Sequence, residues 1–287
     1  MKRIRMLTVF ILLLFAMALS CISPAAVRSL KVYCCNLPKK HIDLIKEDKT
    51  TVKLREGDYV LFGRYTGEPI LWKVVETDGK VLIISEKILC FKAFDACGTD
   101  ENYHTSQDAM LFGSGEWSDS TLAQWLNSDQ SVVDFSHCPP EKQAVCNEIN
   151  SYADESGFLC DNNFTPEEKE LIDSEGVFLP ERKVLEKYFD KSQLQKGCTV
   201  SAAYKNESPF FLTYTKNVWY WTSTPVKHNS SGVVAVTSSG GFYKSLAYDS
   251  EMGVCPAMYL KKNSVVSEGG NGTAEKPYVV SGGGYES

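Results

Sequence analysis

Apolar and polar positions begin to alternate near Gly57. Residues 58–65 (DYVLFGRY), 70–77 (ILWKVVET) and 80–88 (KVLIISEKI) are rich in aromatic and β-branched side chains. Asp78-Gly79 separates the last two runs, and this dipeptide suits a hairpin turn with positive φ at both residues. The pattern predicts three antiparallel strands over 57–88. Residues 90–118 lose periodicity and read as loop. The period becomes helical in STLAQWLN, where Leu122, Trp125 and Leu126 share a face and Ser118 or Ser120 can cap. A second helix is expected over 141–149. Thr165-Pro166-Glu167-Glu168 supplies a cap, a proline at the first helical position and the glutamate of a capping box, so a third helix starts there. A fourth is expected over 181–188. Short strands return at 218–222, 232–236, 241–248 and 254–260. The Gly- and Ser-rich tail, 263–287, holds one extended run at 278–280. Strands, then helices, then strands predict an α+β fold.

The first 26 residues have a different pattern. Lys2, Arg3 and Arg5 precede an apolar run from Met6 to Leu19, and small residues follow at Ser20, Ser23, Ala25 and Ala26. That is the layout of a secretory signal peptide. The run is shorter than the roughly 20 apolar residues of a membrane span. Two processing routes fit. Ala18-Leu19-Ser20-Cys21 is a lipobox that would lipidate Cys21; alternatively, ordinary cleavage falls near Ala25 or Ala26. Both place the protein outside the cell or on its surface, with membrane contact only through a lipid anchor. Residues 27–51 form a polar, Lys-rich lead-in, and 52–262 form the expected domain.

Composition is ordinary for a globular chain of 287 residues, with 43% apolar and 23% charged residues. The formal charge is −6, and the leader carries three basic residues and no acid, so its removal gives −9. A net-acidic exported protein is poorly suited to nucleic acid.

Five segments in order, GDYVLFGRYTGEPILWKVVETDGKVLIIS, SDSTLAQWLN, FLPERKVLEKYF, WYWTSTP and GVCPAMYL, carry a resemblance. They resemble a bacterial domain of unknown function found in secreted and surface proteins of Gram-positive bacteria. Its pattern includes WLN, WWLRSPG and GVRPAL. The resemblance spans about 55–261. It implies kinship with the C-type-lectin-like fold, which also includes formylglycine-generating enzymes, and hence a twisted antiparallel sheet with short helices beside it. It implies no activity, since that fold hosts sugar binding, protein binding and catalysis. The chain departs from the pattern at Ala123, Thr222 and Cys255, where the family commonly has arginine. Sugar-binding relatives use a Glu-Pro-Asn or Gln-Pro-Asp calcium loop, of which Glu68-Pro69-Ile70 is a partial echo that reads as a turn.

A search for chemistry is mostly negative. The sequence holds no Cys-x-x-Cys, His-Glu-x-x-His, EF-hand loop or Gly-x-Ser-x-Gly elbow. No metal or cofactor is expected. His41, His104, His137 and His228 read as surface or satisfied histidines. Ten cysteines become nine once Cys21 is lipidated or removed, an odd number. Cysteines of exported proteins are usually bridged. Cys90 with Cys97, Cys138 with Cys146 and Cys198 with Cys255 are the candidate pairs. The resemblance to formylglycine-generating enzymes would require a second reactive cysteine after Cys255, and Ala257 to Leu260 supplies none. Trp72, Trp125, Trp219 and Trp221 are expected in the core, and strand alternation sets Tyr220 opposite the last two. Trp117, Tyr220 and Tyr243, with Asp119, Glu251 and Thr222, are the candidate ligand contacts.

The expectation is therefore a non-catalytic, cell-surface binding module for a carbohydrate or a surface protein. A degenerate formylglycine-type oxidase or other enzyme, and a structural surface protein, are the alternatives.

Overall fold

The hairpin signal at Asp78-Gly79 is met by β2 (Glu68–Glu76) and β3 (Val81–Ser85) of a computed structural model. Gly79 alone is left-handed there, with φ of 85°. The two-residue turn with both residues left-handed lies one hairpin earlier. Thr66 (φ 52°) and Gly67 (φ 84°) join β1 (Tyr59–Tyr65) to β2, with Tyr65 opposite Glu68. Glu68-Pro69 is thus the start of a strand and not the turn itself. The structure describes residues 52–95, 106–136, 152, 155–205, 216–261, 266–267 and 270–280. The leader, the lead-in up to residue 51 and the expected helix at 141–149 lie outside them.

The remaining elements are β4 (Cys90–Phe91), α1 (Gln107–Phe112), α2 (Thr121–Leu126), α3 (Pro166–Leu171), β5 (Ile172–Phe178), α4 (Arg182–Tyr188), α5 (Val200–Lys205), β6 (Tyr220–Pro225), β7 (Gly232–Val236), β8 (Phe242–Leu246), β9 (Gly253–Val254), β10 (Ala257–Leu260), β11 (Val266–Ser267) and β12 (Tyr278–Val280). They form a mixed α/β fold of two curled, mostly antiparallel sheets with a few short helices. One sheet has the order β11-β12-β1-β2-β3-β10-β5 and the other β4-β9-β6-β7-β8. The expected single strand over 254–260 is split, because Pro256 has no N–H to continue a ladder. Its two halves join different sheets: β9 pairs with β4 and β6, β10 with β3 and β5.

Period-two alternation sends successive side chains into two cores. Val60, Phe62, Trp72, Val74, Ile83 and Met258 meet Leu122 and Trp125 of α2 and Trp221, Val233 and Ala235 of the second sheet. Leu82, Ile84 and Ala257 face the other way, toward Leu185 of α4, Tyr220 and Val236. Trp221 and Tyr220 therefore do occupy opposite faces, and both are buried. Trp219 departs from its expected core position: it precedes β6 and is 37% exposed. The three buried indoles each donate to a carbonyl, Trp72 to Phe62, Trp125 to Ser156 and Trp221 to Lys92.

Local signals explain the helices. Ser120 caps α2 by accepting from the Ala123 N–H. Thr165 and Glu168 form the reciprocal capping box of α3. Glu168 does more than cap. Its other oxygen accepts from the Gly63 N–H at 3.1 Å, at the bulge that interrupts the β1–β2 register. Gly63 has φ of 65°, and a Cβ there would lie 2.1 Å from the Phe164 ring. The asparagine of the WLN string, Asn127, accepts from the Val177 N–H and donates to the Val177 and Ala123 carbonyls, which ties α2 to β5. Among the described residues β4 and α1, within the presumed loop, and β5, α5 and β11 were not expected.

Candidate functional site

Among the described residues, buried polar groups form interior clusters, and an open groove lies at the surface. One interior cluster surrounds Lys92, which is 1% exposed. Its ammonium lies 2.5 Å from a Glu155 oxygen and sits over the rings of Trp125 (4.5 Å) and Tyr152 (4.7 Å). Tyr65 donates its hydroxyl to the other Glu155 oxygen. Burial, and the neighbouring Cys90 and Glu155, push the Tyr65 phenol well above its usual range. Close by, Asp95 is fully buried and accepts from the Thr121 N–H and hydroxyl and from the Ser114 N–H. This carboxylate fixes the loop leading into α2.

A second interior cluster contains Cys255. Its sulfur lies 3.3 Å from the Ser85 hydroxyl, and the buried Lys196 ammonium donates to the Ser85 and Glu86 carbonyls. Burial raises the Cys255 thiol pKa above its ordinary value, and burial raises that of Cys198 too. The expected Cys198–Cys255 bridge is not formed. Both are free thiols, and the Cys255 sulfur accepts from the Ser85 hydroxyl and donates to the Ser85 carbonyl. Cys90 is buried; Cys97, Cys138 and Cys146 lie outside the described residues, as does Cys21. A protonated, fully enclosed thiol is a poor nucleophile.

The groove is open and about 450 Å³ in volume. It is walled by Arg182 at the start of α4, by Thr224 to Lys227 at the end of β6, and floored by Val234, Phe242, Tyr243 and Lys244. Register explains the floor. Val234 pairs with Lys244 and Val236 with Phe242, so these four share a sheet face that α4 covers only in part. The Arg182 guanidinium stacks over Phe242 at 4.7 Å and binds Glu186 one turn along at 2.8 Å. The turn after Lys227 places His228 in the left-handed region, with φ of 61°.

Of the expected ligand contacts, Tyr243 alone lines this groove. It is 59% exposed and packs edge-on against Trp219 at 5.8 Å. Tyr220 and Thr222 are buried, and their hydroxyls donate to the Leu194 and Val234 carbonyls, so neither faces solvent. Trp117 is half-buried against Phe94, and Asp119 is exposed on the same short turn. Glu251 is exposed in the turn before β9. Sequence reasoning missed Arg182, Lys227 and Lys244, which are distant in the chain and carry no motif. Among the described residues no group of three or more His, Cys, Asp or Glu side chains could hold a metal ion.

A family model described as a domain of unknown function (DUF6273) matches residues 78–262. No curated protein and no solved structure matches the chain.

Proposed function

The chain belongs to the DUF6273 domain family, and from that premise we propose that it is an exported, non-catalytic binding module of the cell surface, with a C-type-lectin-like relation, whose ligand is a carbohydrate or a surface protein. The leader pattern of residues 1–26 supports export. Two curled, mostly antiparallel sheets with few helices are compatible with the lectin-like relation. The groove carries the binding reading. It places the Phe242 ring and three cations beside open solvent, whereas Lys92 and Cys255 are themselves buried. Side chains of that kind hold a ligand by stacking and charge.

The test is a screen of the purified, folded protein on glycan arrays and on arrays of surface proteins. Binding to members of one class, reduced by Lys244→Ala, is the expected result. Folded protein with no signal above background on either array would overturn the reading. Copper-dependent oxygen uptake lost in Cys255→Ser would replace it with an oxidase.

A further inference from the structure

Strand β8 ends the second sheet, and its outer side is open. In an antiparallel ladder alternate residues of a strand bond toward each neighbour. The Thr237 N–H donates to the Gly241 carbonyl and the Ala247 N–H to the Ser231 carbonyl, so the odd-numbered residues of this strand bond to β7. The N–H and C=O groups of Phe242 and Lys244, and the N–H of Leu246, therefore point away from β7. Among the described residues none of these groups has a hydrogen-bond partner. The opening has fixed ends. Beyond Leu246 the Ala247 carbonyl accepts from the Phe94 and Asp95 N–H groups. Before Phe242 the chain runs so close to the Lys191 carbonyl that a Cβ on Gly240 would lie 1.9 Å from it. The five residues of β8 are left as an edge that another chain can pair with.

We propose that β8 takes up an extended acidic segment of a partner protein as an added strand, with main-chain hydrogen bonds to Phe242, Lys244 and Leu246, a carboxylate beside Lys244 on one face and an apolar side chain beside Tyr243 on the other. This rests on the binding-module reading above and narrows its ligand to protein. The open donors and acceptors select a ligand with a peptide backbone, because main-chain bonds to a sheet edge supply the affinity in strand addition. Side chains of the added strand alternate between faces as those of β8 do. Register sets Phe242 and Lys244 on the face that α4 partly covers, and Tyr243 on the opposite face, where it packs against Trp219. On the first face the Arg182 guanidinium lies over Phe242, and among the described residues Lys244 is in no ion pair. An acidic residue opposite Lys244 gains from cross-strand charge pairing, and a β-branched or aromatic residue beside Tyr243 gains from packing. A second copy of the chain fits the edge less well. Full antiparallel pairing of two β8 strands sets Lys244 opposite its own counterpart, and like charges directly opposite are unfavourable.

Selection of random heptapeptides displayed on phage against the full chain tests the proposal. The enriched sequences should alternate acidic with β-branched or aromatic residues, and a synthetic copy should bind in calorimetry. Methylating alternate amide nitrogens of that peptide keeps every side chain and removes one row of donors. Methylation of the row that faces β8 should weaken binding by about tenfold or more, and methylation of the other row should not. Lys244→Pro should abolish binding, because it removes an outward N–H and leaves the β7 ladder intact. Lys244→Ala should weaken it by about two- to fivefold. An unchanged unfolding midpoint would show that the proline variant folds, and the two methylated peptides decide the matter without it. Equal binding of both methylated peptides would overturn strand addition, and enriched sequences without acidic residues would overturn the charge assignment. Self-association of the chain in sedimentation, lost in Lys244→Pro, would assign the edge to a second copy instead. No enriched sequence would overturn this proposal alone, and the array screen would still decide the broader one.

Discussion

Glu155→Ala should cost much more stability than Lys92→Met, although both break the same ion pair. The Lys92 side chain is 2% exposed and the Glu155 side chain 23%. Removing the carboxylate takes one counter-charge from an ammonium that meets almost no water. Breaking a buried pair from one side typically costs about 3–5 kcal/mol. Here the rings of Trp125 and Tyr152 remain at 4.5 and 4.7 Å, and each offsets about 0.5–2 kcal/mol. Tyr65 also loses its acceptor, at about 0.5–1.5 kcal/mol. The sum is a loss of about 2–4 kcal/mol. Lys92→Met keeps most of the volume between the two rings, and Glu155 retains its exposure and its bond from Tyr65. Its cost should stay below about 1.5 kcal/mol. Urea unfolding followed by tryptophan fluorescence measures both, by linear extrapolation. A Lys92→Met variant as unstable as Glu155→Ala would refute the argument. It would mean that the pair stabilises through mutual attraction and not by compensating the buried ammonium.

Gly63→Ala should be among the most damaging single changes, at about 3 kcal/mol or more in the same assay, because it combines a left-handed φ with a 2.1 Å approach to Phe164. Asn127→Ala should cost about 1–3 kcal/mol by leaving the Val177 backbone unpaired, while Asn127→Asp should restore only the acceptor half. Ellman's reagent at neutral pH should leave Cys198 and Cys255 unmodified in the folded protein and modify both after denaturation; rapid labelling of Cys255 in the native state would contradict its enclosure. The same thiols set a pH dependence. Their folded pKa is raised by burial, so the unfolded chain loses these protons first, near about pH 8.5. Stability should be full below that value and decline as pH rises toward the folded value, with Cys255→Ser flattening part of the decline.

Much of this fold could be read from the sequence because it depends on local rules. The capping box at Thr165, the cap at Ser120 and the short apolar run at 232–236 each act within a few residues, and the structure places them as expected. The split at Pro256 was hidden because GVCPAMYL looks like one continuous apolar run, and only the pairing partners show that it serves two sheets. β5 was missed because IDSEGVF is mostly polar with a central glycine; its position comes from Asn127 and from β10. The groove was least legible. Arg182 and Lys244 are brought together by the packing of α4 on the β6–β8 sheet face, and no spacing in the chain signals it. Tyr220 and Thr222 misled for the opposite reason. An aromatic and a hydroxyl beside a loop look like ligand contacts, but β6 is buried on both faces there.

The crossing at Cys255-Pro256 also determines how the protein can come apart. β9 and β10 are separated by those two residues alone, and one is hydrogen-bonded into each sheet. Neither sheet can peel away without pulling a strand out of the other. Partial opening along the boundary between them is therefore as costly as losing both ladders. Amide protons at Val254 and at Met258 should then exchange with solvent through the same event, as one cooperative unit. A domain with that property should open first at its margins, such as β8 and β11, each an outer strand of its own sheet.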